Sequence, residues 1–184
     1  MSVPRLDPMP ADRPLTLRSA RTQDVPVIQA LVEPLARERV LLQKEAVAYY
    51  EAIQEFVVAE EPDGTLAGFG ALHVMWQDIA EVRTLAVSEA HRGAGVGHLV
   101  IEELLDRARA VGVERVFCLT FEVEFFRRHG FEVMADQSAV DPEVYAELLR
   151  STDEGVAEFL DLARVKPNTC LLYTSDAADE GLGV

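Results

Sequence analysis

The run "HRGAGVG", His91 to Gly97, spaces three glycines at Gly93, Gly95 and Gly97 behind Arg92, with Ala94 and Val96 between them. It lies between an apolar run that ends at Val87 and an apolar-periodic run that begins at Val96. Glycine permits left-handed backbone and close approach of another group. A helix start adds N–H groups without partners and the positive end of the helix dipole. With an arginine at the lip, that combination suits a phosphate or a pyrophosphate; the glycines alone would equally serve a strand-to-helix turn that binds nothing. Two phosphate signatures are excluded, because G-x-G-x-x-G needs a glycine where His98 stands and G-x-x-x-x-G-K lacks its lysine. What remains is R-x-x-G-x-G.

Just upstream, "AEVRTLAV" has the spacing of a strand, and strict alternation would set Glu81, Arg83, Leu85 and Val87 on one face. An amine is mostly ammonium at neutral pH and cannot attack until a base takes its proton, which makes Glu81 the candidate base. Its carboxyl would need burial to rise from the ordinary value of about 4.3, and Arg83 would oppose that rise. The plainer alternative is a surface ion pair. Lys44, after "VLLQ", and Arg83 are the cations able to hold an anionic substrate, Arg83 with a bidentate fork. Thr120, ending "RVFCLT", either offers its hydroxyl to a ligand or caps a turn. No Ser-His or Cys-His arrangement points to a covalent intermediate. His73, His91, His98 and His129 lack metal-ligand spacing, so no metal is expected.

The surrounding chain bounds the chemistry further. A net charge of −15 opposes a nucleic-acid surface, and an anionic ligand must therefore be held locally. No apolar stretch is long enough for a membrane span and no signal-peptide layout opens the sequence, so a cytoplasmic protein without a membrane partner is expected. Cys118, in an apolar run, and Cys170 are too few for a disulfide framework. Whether the chain forms a homo-oligomer stays open.

The elements that must position these residues read as one domain over 15–169. Residues 1–14, with four prolines, read as a flexible tail. "LTLRSA" reads as a strand and Thr22–Asp24 opens a helix carrying Ile28, Leu31, Val32 and Leu35, bent or ended by Pro34. A second short helix covers about 44–54. "EFVVAE", the turn at Pro62 to Thr65, "LAGFGALHVMW" and "IAEVRTLAV" form an antiparallel meander. Val96, Leu99, Val100, Leu104, Ala108 and Val111 line one helix face, which Gly112 ends. "ERVFCLT", "EVEFFRRH" and "GFEVMA" come next as strand, short helix and strand, and Asp141-Pro142 opens a helix through Leu149. The order β-α-α-β-β-β-α-β-α-β indicates an α/β or α+β protein with a mixed, mostly antiparallel central sheet flanked by helices. Residues 170–184 stand apart: Cys170 to Glu180 resembles an in-frame translation of a sequencing adapter and is left out of the fold, with chance occupancy of a sheet edge by Leu171–Thr174 the alternative.

Strand "LAV", loop "RGAGVG" and amphipathic helix together resemble the acetyl-CoA-binding motif of the GCN5-related N-acetyltransferases, and "EFFRRHGF" resembles that family's second CoA-side motif. The resemblance implies the GNAT fold, acetyl-CoA as co-substrate, a pyrophosphate held by backbone amides of Arg92 to Gly97, and the thioester and pantetheine arm held along Leu85, Ala86 and Val87. "RSARTQDV", "VLLQK", "GALHV", "AEVRTLAV", "RVFCLT", "FFRRHGF" and "EFLDLARVKPN" are similar to short, stand-alone amino-acid N-acetyltransferases of actinobacterial type. That narrower likeness implies acetyl transfer to L-glutamate or L-glutamine, opening arginine synthesis, by direct transfer in a ternary complex. Another small amine, a protein N-terminus or a non-catalytic acyl-CoA sensor are the alternatives. Two positions depart from the wider pattern: Phe126 stands where many members place a tyrosine that protonates the leaving thiolate, and Glu122 stands where larger glutamate acetyltransferases place a substrate-binding arginine.

Overall fold

The computed structural model describes residues 14–134, 141–153, 156–157, 160 and 169–174. The first described strand, β1 (Thr16–Ser19), is followed by α1 (Val25–Arg37) and α2 (Ala46–Glu51). The meander is β2 (Phe56–Glu60), β3 (Leu66–Val74) and β4 (Ile79–Val87). After it come α3 (Val96–Ala110), β5 (Arg115–Thr120), α4 (Val123–Arg127), β6 (Glu132–Val133), α5 (Pro142–Leu148) and β7 (Thr169–Thr174). The seven strands form one sheet in the order β1-β2-β3-β4-β5-β7-β6, antiparallel at every pairing except β4 with β5. That parallel step is forced by α3, a crossover that returns the chain to the same end of the sheet.

Each face of the sheet is covered by helices, α1 and α3 among them, whose apolar spacing the sequence shows. Val96, Val100, Ile101, Leu104, Leu105 and Ala108 of α3 are buried against Val57, Ala59, Leu72, Ala80 and Val82 on one face. Val25, Ile28 and Val32 of α1 and Tyr49 of α2 bury Phe56, Val58, Phe69 and Ala71 on the other. On that second face, further along the sheet, Ile79 and Phe117 pack with Leu148 of α5 and with Val156, Leu160 and Cys170. Leu99 and Val111, read as part of the α3 apolar face, are exposed.

The structure departs from the sequence pattern at several places. Pro34 does not end α1, which runs three residues further to Arg37: a proline late in a helix gives up a single hydrogen bond, and the anchors Val25, Ile28 and Val32 lie before it. Residues 170–174, set aside as foreign to the fold, belong to β7, inside the sheet between β5 and β6 rather than at its edge. Leu171 there is fully buried and Tyr173 nearly so, because the alternation in "TCLLYT" delivers Leu171 and Tyr173 to the α3 side and Cys170 and Leu172 to the other. Pairing of β6 is limited to Glu132 and Val133, shorter than "GFEVMA" suggests. The proposed tail at 1–14 lies outside the described residues apart from Pro14.

The departure in β4 matters most for function. Opposite Gly70 of β3, strand β4 inserts an extra residue: Phe69 pairs with Ala86 and Ala71 with Arg83, leaving Thr84 and Leu85 to share one partner position. Thr84 takes φ +54°, a conformation a β-branched residue rarely adopts, as the extra residue of a bulge requires. A bulge reverses the in-out parity of the residues beyond it. Ala80 and Val82 therefore share the α3 side with Leu85 and Val87, while Ala86 joins the α1 cluster. The single face expected for Glu81, Arg83, Leu85 and Val87 does not exist; Leu85 and Val87 face α3, and Glu81 and Arg83 do not.

Candidate active site

A cleft of about 670 Å³ opens between β4 and β5. The two strands pair in register only from Ile79 with Arg115 to Glu81 with Phe117; beyond that β4 continues to Val87 and β5 to Thr120 without pairing to each other. The bulge at Thr84 turns β4 away and the glycine loop then leads into α3. The cleft is consequently walled by Glu81 to Val87 on one side, Cys118 to Glu122 on the other, and the loop and start of α3 at its mouth. Strand segments that lose a neighbour keep unpaired peptide groups, and these suit an extended, amide-bearing ligand.

The glycine loop leaves several backbone amides without partners among the described residues. Gly93 and Gly95 hold φ +79° and +80°, and a Cβ at either would meet nothing within 4 Å. Backbone geometry rather than crowding therefore demands glycine there. A short 3-10 turn at Glu89–His91 sets the loop, with Ser88 Oγ 2.6 Å from His91 Nδ1 and His91 Nε2 3.3 Å from Glu61. Arg92 N donates to Glu89 O and Ala94 N to His91 O. The N–H groups of Gly93, Gly95, Val96 and Gly97 have no partner among the described residues. Four free amides at the positive end of a 15-residue helix form a donor set that fits a pyrophosphate. Ala94, expected to contribute, spends its amide inside the loop and does not line the cleft.

At the opposite, inner end stands Glu81, 5% exposed, where β4 and β5 begin to part. Burial pushes its carboxyl above the usual carboxylate range, with Arg83 and, more weakly, His73 pulling the other way. Arg83 reaches Glu81 Oε2 from Nε at 3.1 Å and from Nη2 at 2.9 Å. Its terminal fork faces Asp153, Nη1 and Nη2 each 3.0 Å from a carboxylate oxygen, so that Nη2 is shared with Glu81. Arg83 is thus not the free, substrate-holding cation that the sequence suggests; it is shared by two carboxylates. Lys44 does line the cleft and makes no ion pair among the described residues. Thr120 also lines it, and its Oγ1 accepts a hydrogen bond from Glu122 N at 2.9 Å, which closes the turn after β5.

Several lining residues were not legible in the sequence. Val40, Leu41 and Leu42, in the loop before Lys44, close one side of the cleft. Phe125 of α4 lies against the loop, its ring 3.2 Å from where a Gly97 Cβ would stand, and stacks with His98 at 5.0 Å. His98 Nδ1 lies 2.7 Å from His129 Nε2. Phe126 lines the cleft from α4 and packs on Phe131, so no hydroxyl stands there. Asp153 is 70 residues from Arg83 in sequence and carried no spacing signal. Among the described residues no cluster of three or more His, Cys, Asp or Glu could hold a metal ion, and no helix is long and apolar enough to cross a membrane.

Known proteins share this fold. The profile of the acetyltransferase (GNAT) family matches residues 27–131. An amino-acid acetyltransferase of Mycobacterium tuberculosis is 52% identical over 161 residues, which is 86% of this chain and 91% of that protein. The solved structure of Rv2747 from Mycobacterium tuberculosis, in complex with CoA and NLQ, matches with a TM-score of 0.81 at 50% identity, over 86% of this chain and 98% of that one. N-acetylglutamate synthase from Neisseria gonorrhoeae, complexed with coenzyme A and N-acetyl-glutamate, matches with a TM-score of 0.73 at 25% identity; 89% of this chain is covered but only 35% of that one.

Proposed function

The chain belongs to the acetyltransferase (GNAT) family, and from that premise we propose that it transfers the acetyl group of acetyl-CoA to the α-amine of L-glutamate, with L-glutamine as the alternative acceptor, so opening arginine synthesis. The observation that carries the reading is a buried carboxylate at the inner end of the cleft, in line with a glycine loop of free amides at its mouth.

Acetyl-CoA supplies an acetyl group already activated as a thioester. The amides of Gly93, Gly95, Val96 and Gly97 hold its pyrophosphate, with Arg92 adding charge at the lip. The β4 stretch from Leu85 to Val87, which has no partner on its β5 side among the described residues, takes the pantetheine arm along that open edge. Glu81 accepts the proton of the incoming ammonium: its raised affinity for a proton makes it a stronger base than an exposed glutamate. Lys44 meets a substrate carboxylate and Thr120 has a hydroxyl hydrogen still to donate. The acetyl group moves directly to the amine. Cys118, the thiol lining the cleft, is held well above its ordinary pKa by burial and stays a neutral thiol, unfit as a nucleophile. With Phe126 in place of an acid, the departing thiolate takes its proton from solvent.

The test is CoA release from acetyl-CoA against a panel of acceptors. Glutamate- or glutamine-dependent release is the expected result. Release only with a different amine would refute the acceptor, and CoA binding without turnover would make the protein a sensor.

A further inference from the structure

We propose that Asp153 is a positioning residue that governs the strength of the base, by claiming the terminal fork of Arg83 and leaving Glu81 only a partial ion pair. This rests on the reading of Glu81 as the base.

The guanidinium has one charge and two carboxylate neighbours. An arginine donates most strongly through two parallel bonds to one carboxylate. Here that bidentate geometry belongs to Asp153, which meets Nη1 and Nη2 at 3.0 Å each. Glu81 receives contacts on Oε2 alone, and its Oε1 makes none among the described residues. A substrate-facing base needs an oxygen left over for the ammonium proton, and a fully bidentate Arg83 would occupy both.

Asp153 is itself firmly held. Its Oδ1 accepts the Val156 N–H at 3.1 Å, and its own N–H donates to Ser151 Oγ at 3.2 Å. Burial alone would raise its carboxyl, but the hydrogen bonds and charge of Arg83 outweigh that and hold it at about 2. Asp153 therefore stays ionised and keeps its claim at any pH at which the enzyme works.

The other charged groups around Glu81 do not substitute for this control. On β3, His73 stands directly across from Glu81, but its Nδ1 is engaged with Glu55 at 2.7 Å. Lys44, ahead of α2, acts from further off and pulls against the rise weakly. On β5 and β7, Cys118 and Cys170 are buried neutral thiols. Among the described residues only Arg83 touches the carboxylate, and what divides Arg83 is Asp153.

Two substitutions remove the charge and keep the hydrogen bond from Val156 N–H. Asp153→Asn and Asp153→Ser both leave an oxygen able to accept the Val156 N–H, since Asn, Ser and Asp cap helices comparably. In each, Arg83 turns wholly onto Glu81, and the nearby negative charge that favoured a proton there is lost. Both effects lower the pKa of the base. The expected result is that the acid limb of kcat against pH moves down by about half a unit or more in both variants. The plateau kcat falls several-fold as the base weakens, while KM for acetyl-CoA is unchanged. A merely structural Asp153 would alter melting temperature without moving the limb, and an unmoved limb in a folded variant overturns the proposal. Glu81→Gln is the control. If it abolishes the limb and the Asp153 variants leave theirs unmoved, this proposal alone fails; if the limb survives Glu81→Gln, the reading of the base fails and takes this proposal with it.

Discussion

Gly95→Ala isolates what the glycine loop contributes. Gly95 holds φ +80° and ψ 4° at the start of α3, and an added Cβ would meet no atom within 4 Å. The substitution therefore brings no clash, only the left-handed strain of an L-residue, about 1–2 kcal/mol. Against it stands a gain of about 0.4–1 kcal/mol, because alanine has fewer unfolded conformations to lose. If the loop keeps its shape, net stability falls by up to about 1.5 kcal/mol and CoA affinity is nearly unchanged. If the loop relaxes instead, stability rises slightly, the amides of Gly95, Val96 and Gly97 turn from the ligand, and binding must restore them at a cost of about 1–2 kcal/mol, roughly five- to thirtyfold in Kd. Urea denaturation with and without CoA, paired with calorimetric titration of CoA, measures both halves. Gly95→Asn, which tolerates the left-handed region, should recover most of the loss. An alanine variant that is both more stable and equally tight for CoA would refute the anion-cradle reasoning, since the left-handed turn would then matter to neither.

Glu81→Gln should lower kcat by about 10²- to 10⁴-fold with CoA binding intact, as steady-state kinetics and titration would show; equal loss of CoA affinity would mean the fold had suffered instead. Leu171→Ala should cost about 2–5 kcal/mol in denaturant unfolding, because Leu171 is fully buried in a strand with neighbours on both sides; a loss under about 0.5 kcal/mol would remove β7 from the sheet. Stability should fall as pH drops from about 4 to about 2, because Asp153 is held at about 2 against an ordinary 3.8: a depressed carboxyl stabilises the fold above its unfolded value and loses that contribution as acid protonates it. Asp24, lowered by its hydrogen bonds from Arg18, adds to the same acid limb, and Asp24→Asn should flatten that limb in unfolding measured across this range.

The sequence by itself determined a left-handed glycine loop at a helix start, most of the buried helix faces and the presence of a carboxylate in an apolar strand. These are local properties: left-handed glycines, unpaired helix-start amides and 3.6-residue periodicity are written within a dozen consecutive residues, and Glu81 is an acid in an apolar strand beside that loop. Tertiary structure alone decided the rest. The bulge opposite Gly70 could not be seen in β4, because an inserted residue shows only when the partner strand is laid against it, and it is the bulge that undoes the single face predicted for Glu81 through Val87. The sharing of Arg83 between Glu81 and Asp153 needed 70 intervening residues to fold before it existed. The place of Thr169–Thr174 was likewise beyond composition, since a strand between β5 and β6 is specified by the two neighbours that accept it and by the buried pockets that Leu171 and Tyr173 fill.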